Sequence, residues 1–143
     1  MVTHEFAYPV LIERTEAGDF VARIADMPEV LTGGDSEAEA LAEVQDALEE
    51  AVLARLANGQ DIPAPGSRAG AQAVALLPPI AAGRVLIDTK RRQEGWTKVE
   101  LARRIGKDEK VARRILDGRG GVSMTTVLEA LGALGFATTL AWR

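Results

Sequence analysis

The chain has no cysteine and a single histidine, His4. The first absence excludes a disulfide framework, a thiolate nucleophile and a cysteine-ligated zinc, and it accords with an expected cytoplasmic location. The second leaves histidine-based catalysis one group to work with, close to the start of the chain. Aromatic residues are scarce at 4% of 143 positions while 47% are apolar, so the cores are expected to be built from Ala, Val, Leu and Ile. No apolar run approaches the roughly 20 residues that span a bilayer, and residues 1–10 carry no signal-peptide core. A membrane partner is therefore not expected.

What the chain does have is charge, unevenly divided. Residues 1–79 carry four basic and fourteen acidic side chains, whereas residues 80–143 carry thirteen basic and seven acidic ones; the formal net charge of −4 hides this. A basic segment attracts phosphate and releases counterions on binding, while an acidic one is repelled by nucleic acid. Pro78 and Pro79 stiffen the connection and remove two backbone donors, which marks the expected boundary between domains 1–79 and 80–143.

The most informative stretch is residues 96–118, WTKVELARRIGKDEKVARRILDG. Thr97 and Glu100 have the spacing of a capping box. Leu101, Ala102 and Ile105 recur at helical spacing, and Gly106 suits the left-handed conformation that stops a helix. Asp108 then caps a second helix with Val111, Ala112, Ile115 and Leu116 on its apolar side and Lys110, Arg113 and Arg114 on the other, and Gly118 is expected to end it. Two short helices, a glycine turn and a basic second helix make the pattern of a helix-turn-helix. Ahead of it, residues 80–93 predict a helix with Ile80, Val85, Leu86 and Ile87 inward. After it, residues 123–134 predict another, packing through Met124, Val127, Leu128, Leu131 and Leu134. Residues 136–142 alternate, with Phe136, Thr138, Leu140 and Trp142 on one bulky face. Such a strand either pairs with its copy in a twofold dimer or folds back on its own domain.

The acidic half reads as β-β-β-α-β. Residues 6–13 predict a strand in which Pro9 demands an edge or a bulge. Residues 15–19 predict a turn, residues 20–25 a half-buried strand, and residues 29–32 a short third strand. Gly33, Gly34 and Asp35 are expected to turn the chain into a helix capped by Ser36 and Glu39. Leu41, Val44, Leu48, Val52 and Leu56 form its apolar stripe, flanked by Ala40, Ala47 and Ala51, and Asn58 and Gly59 end it. An extended loop over 61–70 leads to a fourth strand at 71–77. The fold class is α+β: this small domain, then an all-α helix-turn-helix domain with a terminal strand.

This order of elements resembles the HicB family of antitoxins. The acidic half resembles its antitoxin domain in Tyr8-Pro9-Val10-Leu11-Ile12-Glu13, Asp26-Met27-Pro28-Glu29, Thr32-Gly33-Gly34-Asp35-Ser36, Glu39-Ala40 and Ile62-Pro63-Ala64-Pro65. The basic half resembles the helix-turn-helix version of its tail from Glu100 to Asp117. The resemblance implies a partial RNase-H-like fold in the first domain. It also implies two partners: a HicA-type mRNA-cleaving toxin, whose RNA-binding surface or catalytic histidine the first domain would cover, and the operator DNA of the operon, which the tail would repress. Tyr8, Glu13, Asp26 and Glu29, which flank strand ends, are the candidate toxin contacts.

The DNA expectation reaches single residues. Lys110, Arg113 and Arg114 are placed near base edges and phosphates, either arginine being able to bond both O6 and N7 of guanine. Lys98, Lys107 and Thr97 are expected on phosphate, and Glu109 on a cytosine amino group. A homodimer or higher even-numbered oligomer is expected, because paired half-sites supply the contacts that one module lacks. An RNase-H-like shape invites a nuclease reading, yet nothing in the spacing of Glu13, Asp19, Asp26 and Asp35 forces them to converge on metals. No enzyme activity, metal or cofactor is expected. The alternative is a ligand-sensing helix-turn-helix regulator without a toxin partner.

Overall fold

The structure, a computed structural model, describes residues 2–139. Four antiparallel strands form one sheet in the order β3-β2-β1-β4: β1 (Ala7–Arg14), β2 (Phe20–Arg23), β3 (Leu31–Gly34) and β4 (Ala73–Leu76). Helix α1 (Glu37–Ala57) lies between β3 and β4 in sequence, which gives the expected β-β-β-α-β order. The chain divides into two compact units, residues 1–52 with 61–78, and residues 53–60 with 79–143.

In the first unit, β1 is an inner strand despite Pro9, and the hydrogen-bond phase explains why. Leu77 N donates to Phe6 O at 2.9 Å, and Tyr8 and Val10 sit opposite Ala75 and Ala73. The even-numbered residues of β1 therefore turn their backbone groups toward β4, and Pro9 turns away from it. On that other side the ladder with β2 begins only at Leu11 opposite Arg23. The missing N–H interrupts no bond, so Pro9 occupies a local edge inside an inner strand.

Two glutamine side chains extend the sheet's bonding beyond its strands. Gln72, just before β4, accepts from Ile12 N at 3.2 Å and donates to Ile12 O at 3.3 Å, so its amide stands in for one more residue of strand. Gln45 of α1 does the same at the outer rim: it accepts from Leu76 N at 2.8 Å and donates to Leu76 O. The buried stripe of α1 in this unit is Ala40, Val44, Leu48 and Val52, all fully enclosed, as are Tyr8, Val10, Ala22 and Ala75 of the sheet. The stripe thus starts at Ala40, and Leu41 is only half-buried. Ser36 Oγ accepts from Glu39 N, while Glu39 reaches Asp35 N, closing the expected capping pattern one residue early.

The third strand differs from expectation. Val30 N donates to Met27 O at 2.9 Å and Val30 O accepts from Ile24 N, so residues 24–30 form a tight loop with Met27 and Val30 buried. Pairing of Phe20 with Gly34 and of Val21 with Gly33 then draws both glycines into β3, where a turn was expected. Tyr8 is corrected as well. It is fully buried and its hydroxyl donates to Pro63 O at 2.6 Å, fastening the 61–70 loop, so its side chain is a core group with no surface to offer a toxin.

The second unit contains α2 (Pro79–Glu94), α3 (Lys98–Ile105), α4 (Glu109–Leu116) and α5 (Met124–Ala133). Pro79 opens α2, where its missing donor is harmless. The core gathers Ile87, Leu101, Ala102, Ile105, Ala112, Ile115, Leu116, Val127, Ala130 and Leu131, with no aromatic among them. On α5 the inward face is Val127, Ala130, Leu131 and half-buried Leu134; Leu128, expected inward, is 39% exposed because it lies one residue off that face. Of the expected terminal strand, residues 136–139 carry no regular structure, and Leu140 and Trp142 lie outside the described residues. Phe136 is half-buried against its own unit's core and its N–H donates to Leu131 O at 2.9 Å.

Gly118 does not end α4, which stops at Leu116 with Asp117 as an extended cap. Its need for a bare Cα is one of space: a Cβ there would sit 1.9 Å from the carbonyl oxygen of Leu53. Gly118→Ala is expected to cost about 1–3 kcal/mol through overpacking against backbone, read as a lower urea midpoint by circular dichroism. Tyr8→Phe is expected to cost about 0.5–1.5 kcal/mol by leaving Pro63 O without that donor, and an unchanged midpoint would refute the role given to the hydroxyl.

Candidate nucleic-acid interface

The α3–α4 pair is built from local signals in the order expected of it. Thr97 Oγ1 accepts from Glu100 N at 3.1 Å and Glu100 Oε2 accepts from Thr97 N at 2.9 Å, so both halves of the capping box are present. Gly106 adopts φ 67° and returns its N–H to the end of α3. Asp108 Oδ1 accepts from Val111 N at 2.9 Å and starts α4. With Leu101, Ala102, Ile105, Ala112, Ile115 and Leu116 buried, the remaining faces turn Lys98, Arg103, Arg104, Glu109, Lys110, Arg113 and Arg114 outward.

These cations differ in what already holds them. Lys107 is half-buried and ion-paired to Glu129 of α5, which removes it from the ready phosphate donors. Arg113 Nε donates to Glu109 Oε1 at 2.8 Å, and both side chains are about half exposed, so this i,i+4 pair is weak enough to exchange. It nevertheless gives Glu109 a partner within its own helix. Arg104 lies 4.5 Å over the Trp96 ring. Lys98, Lys110 and Arg114, by contrast, make no side-chain hydrogen bond or ion pair among the described residues. Thr97 is exposed with its oxygen occupied as a cap, and its hydroxyl proton remains able to donate.

The unpaired cations border one open hollow of about 500 Å³ within the second unit. Its walls bring Lys98, Lys110, Arg113 and Arg114 together with Arg91, Arg92 and Arg119, against only two acids, Asp88 and Asp117. Arg91, Arg92 and Arg119 belong to no motif that singles them out in the sequence. Arg91 and Arg92 are fixed by Asp88, which is 6% exposed and accepts from them at 3.0 and 2.8 Å; Arg91 also donates to Trp96 O at 3.1 Å. Arg119 sits in the loop after α4, where Asp117 Oδ1 accepts its backbone N–H at 3.0 Å.

Beneath that loop lies Arg84 of α2, only 3% exposed. Its guanidinium donates to Gly120 O and, at 3.5 Å, to Arg114 O, and its Nε has no partner among the described residues. Burial holds its pKa below the usual arginine value, and the Asp117 carboxylate counters part of that effect. Arg84 and Asp88 were detectable in principle. They fall three and seven residues after Ala81, on the same inward face as Val85, and a charge on an inward face needs a partner.

In the first unit, Glu13 is exposed and pairs with Arg23 at 3.4 Å. Asp26 accepts from Gly66 N at 3.1 Å, and Glu29 is exposed. Of the four candidate toxin contacts, these three reach the surface at least in part. The described residues contain no grouping of three or more His, Cys, Asp or Glu side chains suited to a metal ion, and no helix long and apolar enough to cross a membrane.

Comparison with known proteins covers most of the chain. A family model described as the HicB-like antitoxin of bacterial toxin–antitoxin systems matches residues 7–84. The protein named antitoxin HicB 2 of Photorhabdus laumondii is 35% identical over 128 residues, covering 90% of each chain. Antitoxin HicB 1 of the same organism is 34% identical over 93% of this chain and 84% of its own. Antitoxin HicB of Escherichia coli K12 is 31% identical over 90% of this chain and 93% of its own. These matches take in residues of both units, beyond the residues that the family model covers. This protein belongs to the HicB family and is an antitoxin of a toxin–antitoxin system.

Proposed function

We propose that the first unit neutralises a small basic toxin of the HicA type and that the second unit represses the operon encoding the pair by gripping its operator. The observation that carries the DNA half is a set of cations unpaired among the described residues, Lys98, Lys110 and Arg114, bordering one hollow beside α4. Placed in a major groove, the first turns of α4 present Lys110 and Arg114 to base edges, while Lys98 and Thr97 meet phosphate from the start of α3. Arg114 is better placed than Arg113 to supply base preference, because Arg113 must first release Glu109. Lys107 keeps a lesser role, held as it is by Glu129.

The toxin half draws support from charge. Glu43, Asp46 and Glu50 line the exposed side of α1, with Glu13 and Glu29 exposed elsewhere in the same unit. A cationic RNA-cutting partner would be steered to such a surface, and DNA would be kept off it. Glu13, Asp26 and Glu29 are the contacts proposed. The active repressor is a dimer or larger even-numbered assembly, with Phe136, Thr138, Leu140 and Trp142 of the tail as its contacts.

Arg114→Ala is expected to weaken binding to the operon's own promoter by roughly 1–3 kcal/mol and to relax preference at one base position. Fluorescence anisotropy on promoter and scrambled duplexes measures both. Co-expression with a HicA-type toxin, taken from the reading frame next to this chain's own, tests the other half. Growth restored by this chain, and restored less well when Glu13, Asp26 and Glu29 are all changed to Lys, is the expected outcome. Failure of the unmodified chain to restore growth refutes neutralisation.

A further inference from the structure

We propose that the hollow beside α4 is a phosphate cradle, in which Arg119 of the loop after α4 binds a backbone phosphate of the duplex and Arg91 and Arg92 form the positive floor. The inference rests on the DNA reading above and assigns a role to residues that reading does not use. Arg119 is exposed, and its side chain makes no hydrogen bond or ion pair among the described residues. Its loop, however, is built. Asp117 holds the Arg119 N–H, Gly118 lies against Leu53 O where no side chain fits, and buried Arg84 fastens Gly120 O. Three constraints on four residues are more than a loose connection between helices needs, and together they fix where Arg119 begins.

The electrostatics of the hollow favour an anion. Both carboxylate oxygens of Asp88 are occupied by Arg91 and Arg92, and Oδ1 of Asp117 is occupied by the Arg119 amide, so neither acid presents a fully free carboxylate. The cations outnumber them seven to two. Because Lys110 and Arg114 of α4 border the same hollow, a strand whose bases meet α4 runs its phosphates past Arg119. A phosphate contact of this kind holds register and carries no sequence information.

The test compares the full-length chain with Arg119→Ala and Arg119→Lys on the promoter fragment and on a scrambled duplex of equal length, across a salt series. Arg119→Ala is expected to weaken both complexes by the same factor, about tenfold. It should also reduce the slope of log affinity against log salt by about 1. Arg119→Lys is expected to restore the slope, since a point charge serves a phosphate, whereas a bidentate base contact would not survive the exchange. An unchanged thermal midpoint for both variants shows that the loop is intact. Loss confined to the promoter, or an unchanged slope, overturns the cradle while leaving DNA binding standing. A wild-type chain that binds neither duplex overturns both readings. Titration of inorganic phosphate into the DNA-free chain, followed through the Gly118 and Gly120 amides by NMR, separates the sources: saturation at low millimolar concentration would identify a free-anion site and refute the duplex assignment.

Discussion

Arg84 is the constraint on which the second unit's cationic surface depends. A guanidinium taken out of water is costly unless its donors find acceptors, and this one finds two carbonyls, of Arg114 and Gly120. Those carbonyls belong to the end of α4 and to the loop that follows. Burial of the charge and placement of the loop are therefore one event. Asp88, one turn further along α2, repeats the logic with the opposite sign: an enclosed carboxylate draws Arg91 and Arg92 onto it and sets their direction. The surface cations are arranged from below, by charges that are themselves buried.

Elements whose cause is local were legible in the sequence. Thr97 with Glu100, Gly106, Asp108 and Ser123 each act within three or four residues of themselves, and the helix limits they set fall where spacing predicts. Elements decided by a distant neighbour were not. Gly33 and Gly34 look like a turn until β2 pairs with them. Gly118 looks like a helix stop until Leu53 is seen beside it. Leu128 looks like core because it is leucine, yet the period of α5 puts Ala130 there instead. Pro9 gave the right warning about an edge, and only the phase of the β1–β4 ladder shows how an inner strand can have one.

The site divides along the same line. Residue types and helix faces single out Lys98, Lys110 and Arg114 as candidates, and the structure leaves all three exposed. Which cations are already engaged depends on tertiary neighbours, as Glu129 does for Lys107, or on a rotamer choice, as between Glu109 and Arg113. Tyr8 shows the hazard in the other direction. An aromatic beside a strand end suggests a binding surface, and here the ring fills the core while the hydroxyl secures a proline-rich loop 55 residues away.

The glutamine on α1 has a consequence for how this chain meets other chains. An outer strand is a template for strand addition, and β4 has only two residues, Val74 and Leu76, whose backbone groups turn outward from the sheet. Gln45 occupies both groups of Leu76, so a visiting strand would have to dislodge a side-chain amide before its second rung could form. The opposite rim, β3, is four residues long and half glycine, a poor seed for fibre growth. Both margins are thereby poor templates for a further strand, one because a side-chain amide holds its end and the other because it is short and half glycine.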